Sequence, residues 1–342
     1  MAVARVGFLA KKKKGSSKST WALYALLAAL IIAYAITGSA LVGLAALLSI
    51  AAIFYYEIRH SFKTEGARKS VIDIAMAIGA ALLVWLAMIF FLHTAAPIDA
   101  VSSCSMLPAL QRGDIVVLSG LGNVTQFIES KHVPVVNISE GAFQRMEANI
   151  SSTEFLSFYA YAKANRSQIS YIFDNGTGQG VGLYNNACLS QYSYLGEQKY
   201  FYKCYVASQG SNLIRYSYSV GSVSLNGAVR SIVYTSEITI GNASIGADYG
   251  NPIVVYQTTK NDYFSGSIIH RVLAVLNVSG SYYFLTKGDN NQALDIEFGN
   301  YPAGASDVMG YVIADVPIVG YIKLLLSGQL AVPAGCNQTI LR

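Results

Sequence analysis

The sequence is short of charged residues, which make up 13% of its 342 positions. Soluble domains usually contain about 25%, so the composition argues against a wholly soluble protein. Cysteine is scarce as well, and four cysteines in a chain of this length exclude a disulfide-dense scaffold. A formal net charge of +5 is too small to indicate a nucleic-acid-binding protein before its location is known.

The basic charge is confined to the first fifth of the chain. Residues 1–70 contain ten Lys and Arg against two Asp and Glu, a net charge of +8. The other 14 basic and 17 acidic residues give residues 71–342 a net charge of −3. The positive charge therefore flanks N-terminal apolar segments, and no nucleic-acid partner is expected.

Three long apolar runs stand in this basic region: Trp21–Gly38, Ala40–Tyr56 and Val71–Leu92. About 20 apolar residues cross a hydrocarbon core of about 30 Å. The alternatives are a buried core helix, which the lack of a polar face disfavours, and a cleaved secretory signal for the first run. The pattern predicts a basic cytoplasmic tail over residues 1–20 and three transmembrane helices within residues 21–93.

The flanking lysines and arginines predict the orientation of these helices. Basic residues precede the first run and cluster again over residues 57–70. Because basic loops stay on the cytoplasmic side, residues 57–70 are expected to form a cytoplasmic loop. The remainder of the chain is then extracytoplasmic, anchored in the cell membrane by a multi-pass segment.

The sequence pattern changes from residue 94 onward. Short alternating segments rich in Val, Ile and Tyr are separated by Gly, Asn, Asp and Pro, which is typical of antiparallel strands. The segments are Asp114–Leu118, Ile253–Gln257, Ile268–Leu276, Tyr282–Thr286 and Val312–Lys323. A short helix is expected near Ser151–Ala164.

The cysteines of this outer region leave their pairing open. Cys188 and Cys204 are 16 residues apart in a Tyr-rich stretch, and an oxidising exterior makes them the candidate disulfide. Their spacing does not choose between a disulfide and two thiols. Cys104 is expected to be a small packed side chain, and Cys336 a candidate free thiol.

Three segments contain residues that could perform chemistry. Ser103 and Ser105 stand in SCSMLPALQRGD, His270 in the apolar segment SIIHRV, and Asp289 and Asp295 in KGDNNQALD. A serine hydroxyl needs a neighbouring base to become a nucleophile. An imidazole oriented by a carboxylate supplies that base. Spacing alone supports this weakly, because a histidine on a strand is more often structural.

These segments resemble the sequence boxes of type I signal peptidases. Residues 103–114 resemble S-x-S-M-x-P-x-[LF]-x-x-G-D, residues 268–272 the HRV box, and residues 287–295 the K-G-D-N-N-x-x-x-D box. Residues 316–322 (VPIVGYI) match the family's last strand. Histidine at the base position, where the bacterial enzymes have lysine, resembles the archaeal and endoplasmic-reticulum branch.

The resemblance implies a role for each matching residue. Ser105 would be the nucleophile, His270 the general base and Asp295 the acid that orients it. Asp289 would be a supporting acid. Ser103 and the backbone N–H of Ser105 would form the oxyanion hole.

The fold implied is N-terminal transmembrane α-helices followed by a mainly antiparallel β catalytic domain of signal-peptidase type, with a large β-rich insertion. Residues 94–120 and 250–330 would form the peptidase domain, residues 121–249 an inserted extracytoplasmic subdomain, and residues 331–342 a C-terminal tail. The insertion has no counterpart in the family pattern.

The expected function is removal of signal peptides from exported preproteins at small residues. The expected partners are these preproteins, the lipid bilayer and the protein translocation channel. Neither a metal nor another cofactor is expected, because no Cys and His cluster has ligand spacing and no glycine-rich nucleotide loop occurs. Two alternatives stay open: a non-catalytic surface protein, and a peptidase dedicated to pilin-like or surface-layer precursors.

Overall fold

The computed structural model of the protein describes most of the chain outside the N-terminal tail and the middle of the predicted insertion. The described residues are 18–37, 39–151, 179–183, 189–193, 201–204, 213–225, 228–258, 266–329, 331–333, 336 and 338–341. The chain divides into two compact units. Met1–Gly79 with Leu325–Ala331 form the first, and Ala80–Leu324 with Val332–Arg342 form the second.

The helices within the described residues are α1 (Lys18–Thr37), α2 (Ala40–Glu65), α3 (Ala67–Leu92), α4 (Val124–Ser130), α5 (Glu140–Ser151) and α6 (Tyr321–Leu326). The strands are β1 (Ile98–Ala100), β2 (Ile115–Ser119), β3 (Val135–Ile138), β4 (Gln179–Leu183), β5 (Leu189–Ser193), β6 (Phe201–Cys204), β7 (Ile214–Leu225), β8 (Ala228–Ile240), β9 (Ala243–Gly246), β10 (Ile253–Gln257), β11 (Ser267–Val278), β12 (Ser281–Lys287), β13 (Ala303–Gly304), β14 (Val308–Val316) and β15 (Gln338–Leu341).

Two of the N-terminal helices are long and apolar enough to cross a membrane. They cover Leu41–Glu65 and Ala67–Leu92, whereas the apolar part of α1, Trp21–Thr37, is shorter. The described part of the chain therefore contains two membrane-compatible helices followed by an antiparallel β-sheet domain. The first predicted span, Trp21–Gly38, remains a prediction.

The basic segment at residues 57–70, expected to be a loop, is almost wholly helical. Helix α2 continues to Glu65, and α3 begins at Ala67. Only Gly66 interrupts them, with a positive φ of 82° that glycine adopts without strain. Lys and Glu are good helix formers, and Lys69 pairs with Glu65 at 3.0 Å across the break. The backbone of this segment is helical because charge does not by itself break a helix, and its cytoplasmic location stays a prediction.

The main sheet carries residues 268–272 in β11, while residues 103–114 connect β1 to β2 and residues 288–295 follow β12. Its strand order is β1-β2-β14-β10-β11-β12-β13, with antiparallel neighbours throughout. Strand β3 pairs in parallel with residues 275–278 of β11, beyond the residues of β11 that pair with β10. Because β3 pairs with β11, the main sheet includes residues that the sequence assigned to the insertion.

A second sheet is built from the predicted insertion and the chain's C-terminal end. Its order is β15-β7-β8-β9, and β6 pairs with the remaining part of the β7 edge. Strands β4 and β5 form a separate pair. The segment predicted as a tail, residues 331–342, thus contributes a strand to this sheet. The expected helix at Ser151–Ala164 lies outside the described residues, apart from its first residue, which ends α5.

The last strand of the main sheet is shorter than its sequence suggests. Strand β14 ends at Val316, and the chain turns before entering α6. Pro317 lacks the N–H that a continuing ladder needs, and the N–H of Val319 donates to its carbonyl at 2.8 Å. Gly320 then passes close to the carbonyl oxygen of Asp114, which a Cβ would approach to 2.6 Å.

The main sheet is buried on both faces. One face packs on α4 in a cluster that includes Phe127, Val254 and Phe284. The other face packs on α5 and the second sheet in a cluster that includes Ile238 and Leu276. The second sheet therefore shares a hydrophobic core with the sheet that carries the candidate site.

Candidate functional site

Ser105 lies in a tightly held turn between β1 and β2, the serine turn (residues 101–114). The N–H of Val101 donates to the carbonyl of Asp114 at 2.9 Å, which ties the two ends of the turn together. Between them, Met106 is almost fully buried in an apolar cluster under the turn. Ser105 itself is only partly buried, so the turn leaves this residue partly exposed to solvent.

His270 is placed by the register of three neighbouring strands. Val254 of β10 lies opposite His270 of β11, and Val272 of β11 lies opposite Thr286 of β12. Side chains two residues apart on a strand share a face. Tyr256, His270 and Thr286 therefore project from the same face of the main sheet, on adjacent strands.

A continuous chain of hydrogen bonds joins the three residues that the sequence singled out. Nδ1 of His270 lies 2.7 Å from Oδ2 of Asp295, and its Nε2 lies 3.0 Å from Oγ of Ser105. With its proton on Nδ1, the imidazole donates to the carboxylate and accepts from the serine hydroxyl. His270 and Asp295 are buried, so this geometry is held in a poorly solvated environment.

Two further residues, which sequence analysis missed, hold Asp295. The hydroxyl of Tyr256 donates to Oδ2 of Asp295 at 2.9 Å, and that of Thr286 donates to the same atom at 2.6 Å. Together with His270, three donors converge on one carboxylate oxygen. The only signal in the sequence is that Tyr256 and Thr286 are hydrogen-bonding residues within otherwise apolar strands.

Asp289, the first acid of its box, pairs with Arg271. Its carboxylate accepts from Nε of Arg271 at 2.9 Å and from Nη2 at 2.8 Å. Nη1 of Arg271 donates to the carbonyl of Asn251 at 2.6 Å. This bidentate pair holds Arg271, the residue next to His270 on β11. The carboxylate that contacts the imidazole of His270 belongs to Asp295.

The serine turn touches the loop that carries both acids, the acid loop (residues 288–300). The N–H of Asn290 donates to the carbonyl of Ser105 at 2.6 Å. A Cβ on Gly288 would lie 2.7 Å from that same carbonyl oxygen. The glycine of the K-G-D-N-N box thus permits an approach that a larger residue would prevent.

Ser103 lies beside the hydroxyl that would react. Its Oγ is 3.1 Å from Oγ of Ser105. A hydroxyl at this distance can rotate to donate to a group bound next to Ser105. The structure therefore brings Ser103, Ser105, His270 and Asp295 together.

The disulfide in the described structure differs from the candidate pair. Cys104 is bonded to Cys336, with 5.0 Å between their Cα atoms and 232 residues between them in sequence. The expectations of a packed thiol at 104 and a free thiol at 336 are corrected, because β15 brings the C-terminal segment against the serine turn. Cys188 lies outside the described residues, so its pairing with Cys204 stays a prediction.

Comparison with known proteins finds catalytic subunits of fungal signal peptidase complexes. The subunit SEC11 of Clavispora lusitaniae is 31% identical over 135 residues, 38% of this chain and 79% of the relative. That of Yarrowia lipolytica is 30% identical over 138 residues, 39% of this chain and 78% of the relative. That of Verticillium alfalfae is 38% identical over 78 residues, 22% of this chain.

The extent of these matches varies. The chain spans 44% of the length of the Verticillium subunit. No protein-family model matches the chain, and no solved structure matches it. The chain covers more than three quarters of the length of the Clavispora and Yarrowia subunits at 30% identity or more. The chain therefore belongs to the family of signal peptidase complex catalytic subunits.

Proposed function

We propose that this chain is a membrane-bound serine endopeptidase that removes N-terminal signal peptides from exported preproteins. The observation that carries the proposal is the chain of hydrogen bonds from Asp295 through His270 to Ser105. It places a hydroxyl, a base and an orienting carboxylate within reach of one another, which is the arrangement that nucleophilic acyl transfer requires.

Acylation begins when Oγ of Ser105 attacks the scissile carbonyl carbon and Nε2 of His270 takes the hydroxyl proton. The carboxylate of Asp295 accepts a hydrogen bond from Nδ1–H of His270 and stabilises the imidazolium. The oxyanion is bound by the N–H of Ser105 and the hydroxyl of Ser103. Each such donor contributes about 2.7–4 kcal/mol to the transition state. When the carbon–nitrogen bond breaks, His270 gives its proton to the leaving amine, the new N-terminus of the mature protein.

Deacylation uses the same groups in reverse. His270 takes a proton from water as the water oxygen attacks the ester carbonyl of the acyl-enzyme. The ester bond then breaks, and the proton returns through Nε2 to Oγ of Ser105. The released acid is the C-terminus of the signal peptide. The same imidazole serves both half-reactions because its orientation is fixed by the buried carboxylate of Asp295.

The substrate is an extended segment of an exported preprotein. An extended chain that lies along a strand edge presents alternate side chains to one surface. Shallow pockets at such a surface accept small side chains, which fits cleavage after small residues at positions −1 and −3. The resemblance to signal peptidases implies this preference.

Membrane attachment puts the reacting serine close to the bilayer. The membrane-compatible helix α3 ends at Leu92, and Ser105 follows 13 residues later. The basic residues near the N-terminal helices favour a cytoplasmic N-terminus and an extracytoplasmic peptidase domain. A preprotein that emerges from the translocation channel would meet the site at that surface. We therefore assign the chain to the cell membrane as a multi-pass protein.

We predict that replacing Ser105 by alanine abolishes cleavage of a purified preprotein in detergent, with a fall in kcat of at least about 10⁴-fold. The melting temperature should stay unchanged, because only a partly exposed hydroxyl is removed. Ser102→Ala is the matched control, since this exposed neighbour should keep kcat within about twofold. Undiminished cleavage by the Ser105 variant would support a non-catalytic surface protein instead.

The two acids should differ in what their loss does. Asp295→Asn should lower kcat by about 10⁴-fold, because an amide facing Nδ1 favours the wrong tautomer of His270. Asp289→Asn leaves the guanidinium of Arg271 without its charge partner, and should lower the free energy of unfolding by about 3–5 kcal/mol. Both variants are measured for kcat and thermal unfolding. A larger kcat loss in the folded Asp289 variant would reassign the acid.

Tyr256 should act through Asp295 as a positioning residue. We expect Tyr256→Phe to lower kcat about tenfold, equivalent to about 1.4 kcal/mol, while KM stays within about twofold. Tyr311→Phe is the matched control, because the ring of Tyr311 packs on Phe127 in the same cluster. The hydroxyl of Tyr256 has no role in orientation if the two variants have the same kcat.

A further inference from the structure

The C-terminal segment is attached to the serine turn by a covalent bond and to the second sheet by a strand ladder. Cys336 forms the disulfide with Cys104, the residue directly before Ser105. Strand β15 follows, and pairs with β7 from Gln338 opposite Leu225 onward. We call Cys336 and residues 338–341 the strap. It connects the second sheet to the residue next to the proposed nucleophile.

The buried side chain of Asn290 joins the strap to the serine turn. Its Nδ2 donates to the carbonyl of Cys104 at 3.1 Å and to that of Gln338 at 2.9 Å. Its Oδ1 accepts from the N–H of Ile340 at 2.8 Å. Its own N–H donates to the carbonyl of Ser105 at 2.6 Å. The side-chain amide of Asn290 therefore binds the strap and the carbonyl of Cys104, and its backbone N–H binds the carbonyl of Ser105.

These bonds bear directly on the proposed oxyanion hole. The carbonyl of Cys104 and the N–H of Ser105 belong to the same peptide unit. That unit is planar and trans, so its C=O and N–H point in opposite directions. When Asn290 fixes the carbonyl of Cys104, it also fixes the direction in which the N–H of Ser105 points.

The second sheet makes a separate attachment to the acid loop. The N–H of Thr235 on β8 donates to the carbonyl of Gln292 at 2.7 Å, and its hydroxyl donates to Oε1 of buried Glu297 at 2.7 Å. Burial, reinforced by the charge of Glu297, raises the pKa of Tyr216 well above its ordinary value. The sheet that carries the strap is thus anchored to the loop that carries Asp295.

We propose that the strap and Asn290 position the N–H of Ser105 for oxyanion binding, and that the Cys104–Cys336 disulfide holds the strap in place. This inference rests on the proposed peptidase function and goes beyond it. Asn290 is a positioning residue, because it acts on the reacting atoms through the peptide unit between Cys104 and Ser105. The second sheet then has a role in catalysis through β15.

If the strap positions Ser105 in this way, the turnover rate depends on whether Cys104 and Cys336 are joined as a disulfide or reduced to thiols. An added dithiol would break the sulfur–sulfur bond by thiol–disulfide exchange. The two cysteines gain two electrons and two protons as thiols, and the dithiol is oxidised to its own disulfide. The released strap would hold the serine turn only through the hydrogen bonds of Asn290. Because small misplacements at a reacting centre are costly, about 10²-fold in rate, kcat should fall while the substrate-binding edge is unchanged.

The test measures kcat and KM for cleavage of a purified preprotein in detergent, with and without a dithiol reductant. Alkylation and mass spectrometry verify reduction, and thermal unfolding verifies the fold. We expect reductant to lower wild-type kcat at least about tenfold with KM within about threefold. Cys336→Ser should match the reduced wild type and not respond to reductant. A Cys188→Ser, Cys204→Ser double variant should respond as the wild type does, which separates the two cysteine pairs.

Asn290 is tested without reductant. Asn290→Ala should lower kcat about 10²-fold, the typical cost of losing an oxyanion donor, with KM within about threefold. Asn277→Ala is the matched control. Its Nδ2 donates to Oδ1 of Asn137 on β3, and its Oδ1 accepts from the N–H of Gly280 in the β11–β12 hairpin. Both bonds are exposed, so this variant should keep kcat within about twofold.

The inference is overturned if verified reduction leaves wild-type kcat unchanged, if Asn290→Ala cleaves like the control, or if kcat falls only together with unfolding. In the last case the strap would hold the fold and not the serine turn. These results leave the proposed function intact. A fully oxidised, folded wild type that cleaves no preprotein would instead remove the proposed function, and this inference with it.

Discussion

A buried carboxylate must be surrounded by donors, because an unpaired charge away from water is strongly destabilising. Asp295 is 3% exposed, and its donors come from the hydroxyls of Tyr256 and Thr286 and from the imidazole of His270. These three residues sit on adjacent strands, and the observed register places them side by side on one face. A slip of one residue would turn the imidazole to the other face of the sheet. The position of His270, and with it the proton path to Ser105, depends on this arrangement.

The strands and the site residues that could be predicted are those marked by short sequence patterns. Alternation located the strands of the main sheet at β10, β11 and β12 to within two residues of their ends. The sequence boxes identified Ser105, His270 and Asp295, which the structure brings together. The bond of Tyr256 to Asp295 was not predictable, because it follows from register across strands. The disulfide partner of Cys104 was also not predictable. Cys336 lies 232 residues away in sequence, and β15 brings it to the serine turn.

The predicted insertion is more closely integrated with the site than its position in the sequence suggested. Its first part supplies β3 to the main sheet, and its later strands form a sheet that shares a core with that sheet. Thr235 of that sheet anchors the acid loop, and β15 carries the disulfide to the serine turn. Segments far apart in sequence therefore hold the two loops that would have to stay in register during acyl transfer. Rigid support of this kind is what precise placement of reacting groups requires.

In the proposed mechanism, Ser105 becomes acylated in every turnover. Acid-quench mass spectrometry after mixing the enzyme with a signal peptide activated as a C-terminal thioester tests it most directly. Thioester activation speeds acylation, so the acyl-enzyme should accumulate before water attacks. We expect one acyl group on the fragment that contains Ser105, and none there in Ser105→Ala. An acyl group that maps to another residue, or that persists in that variant, would contradict it.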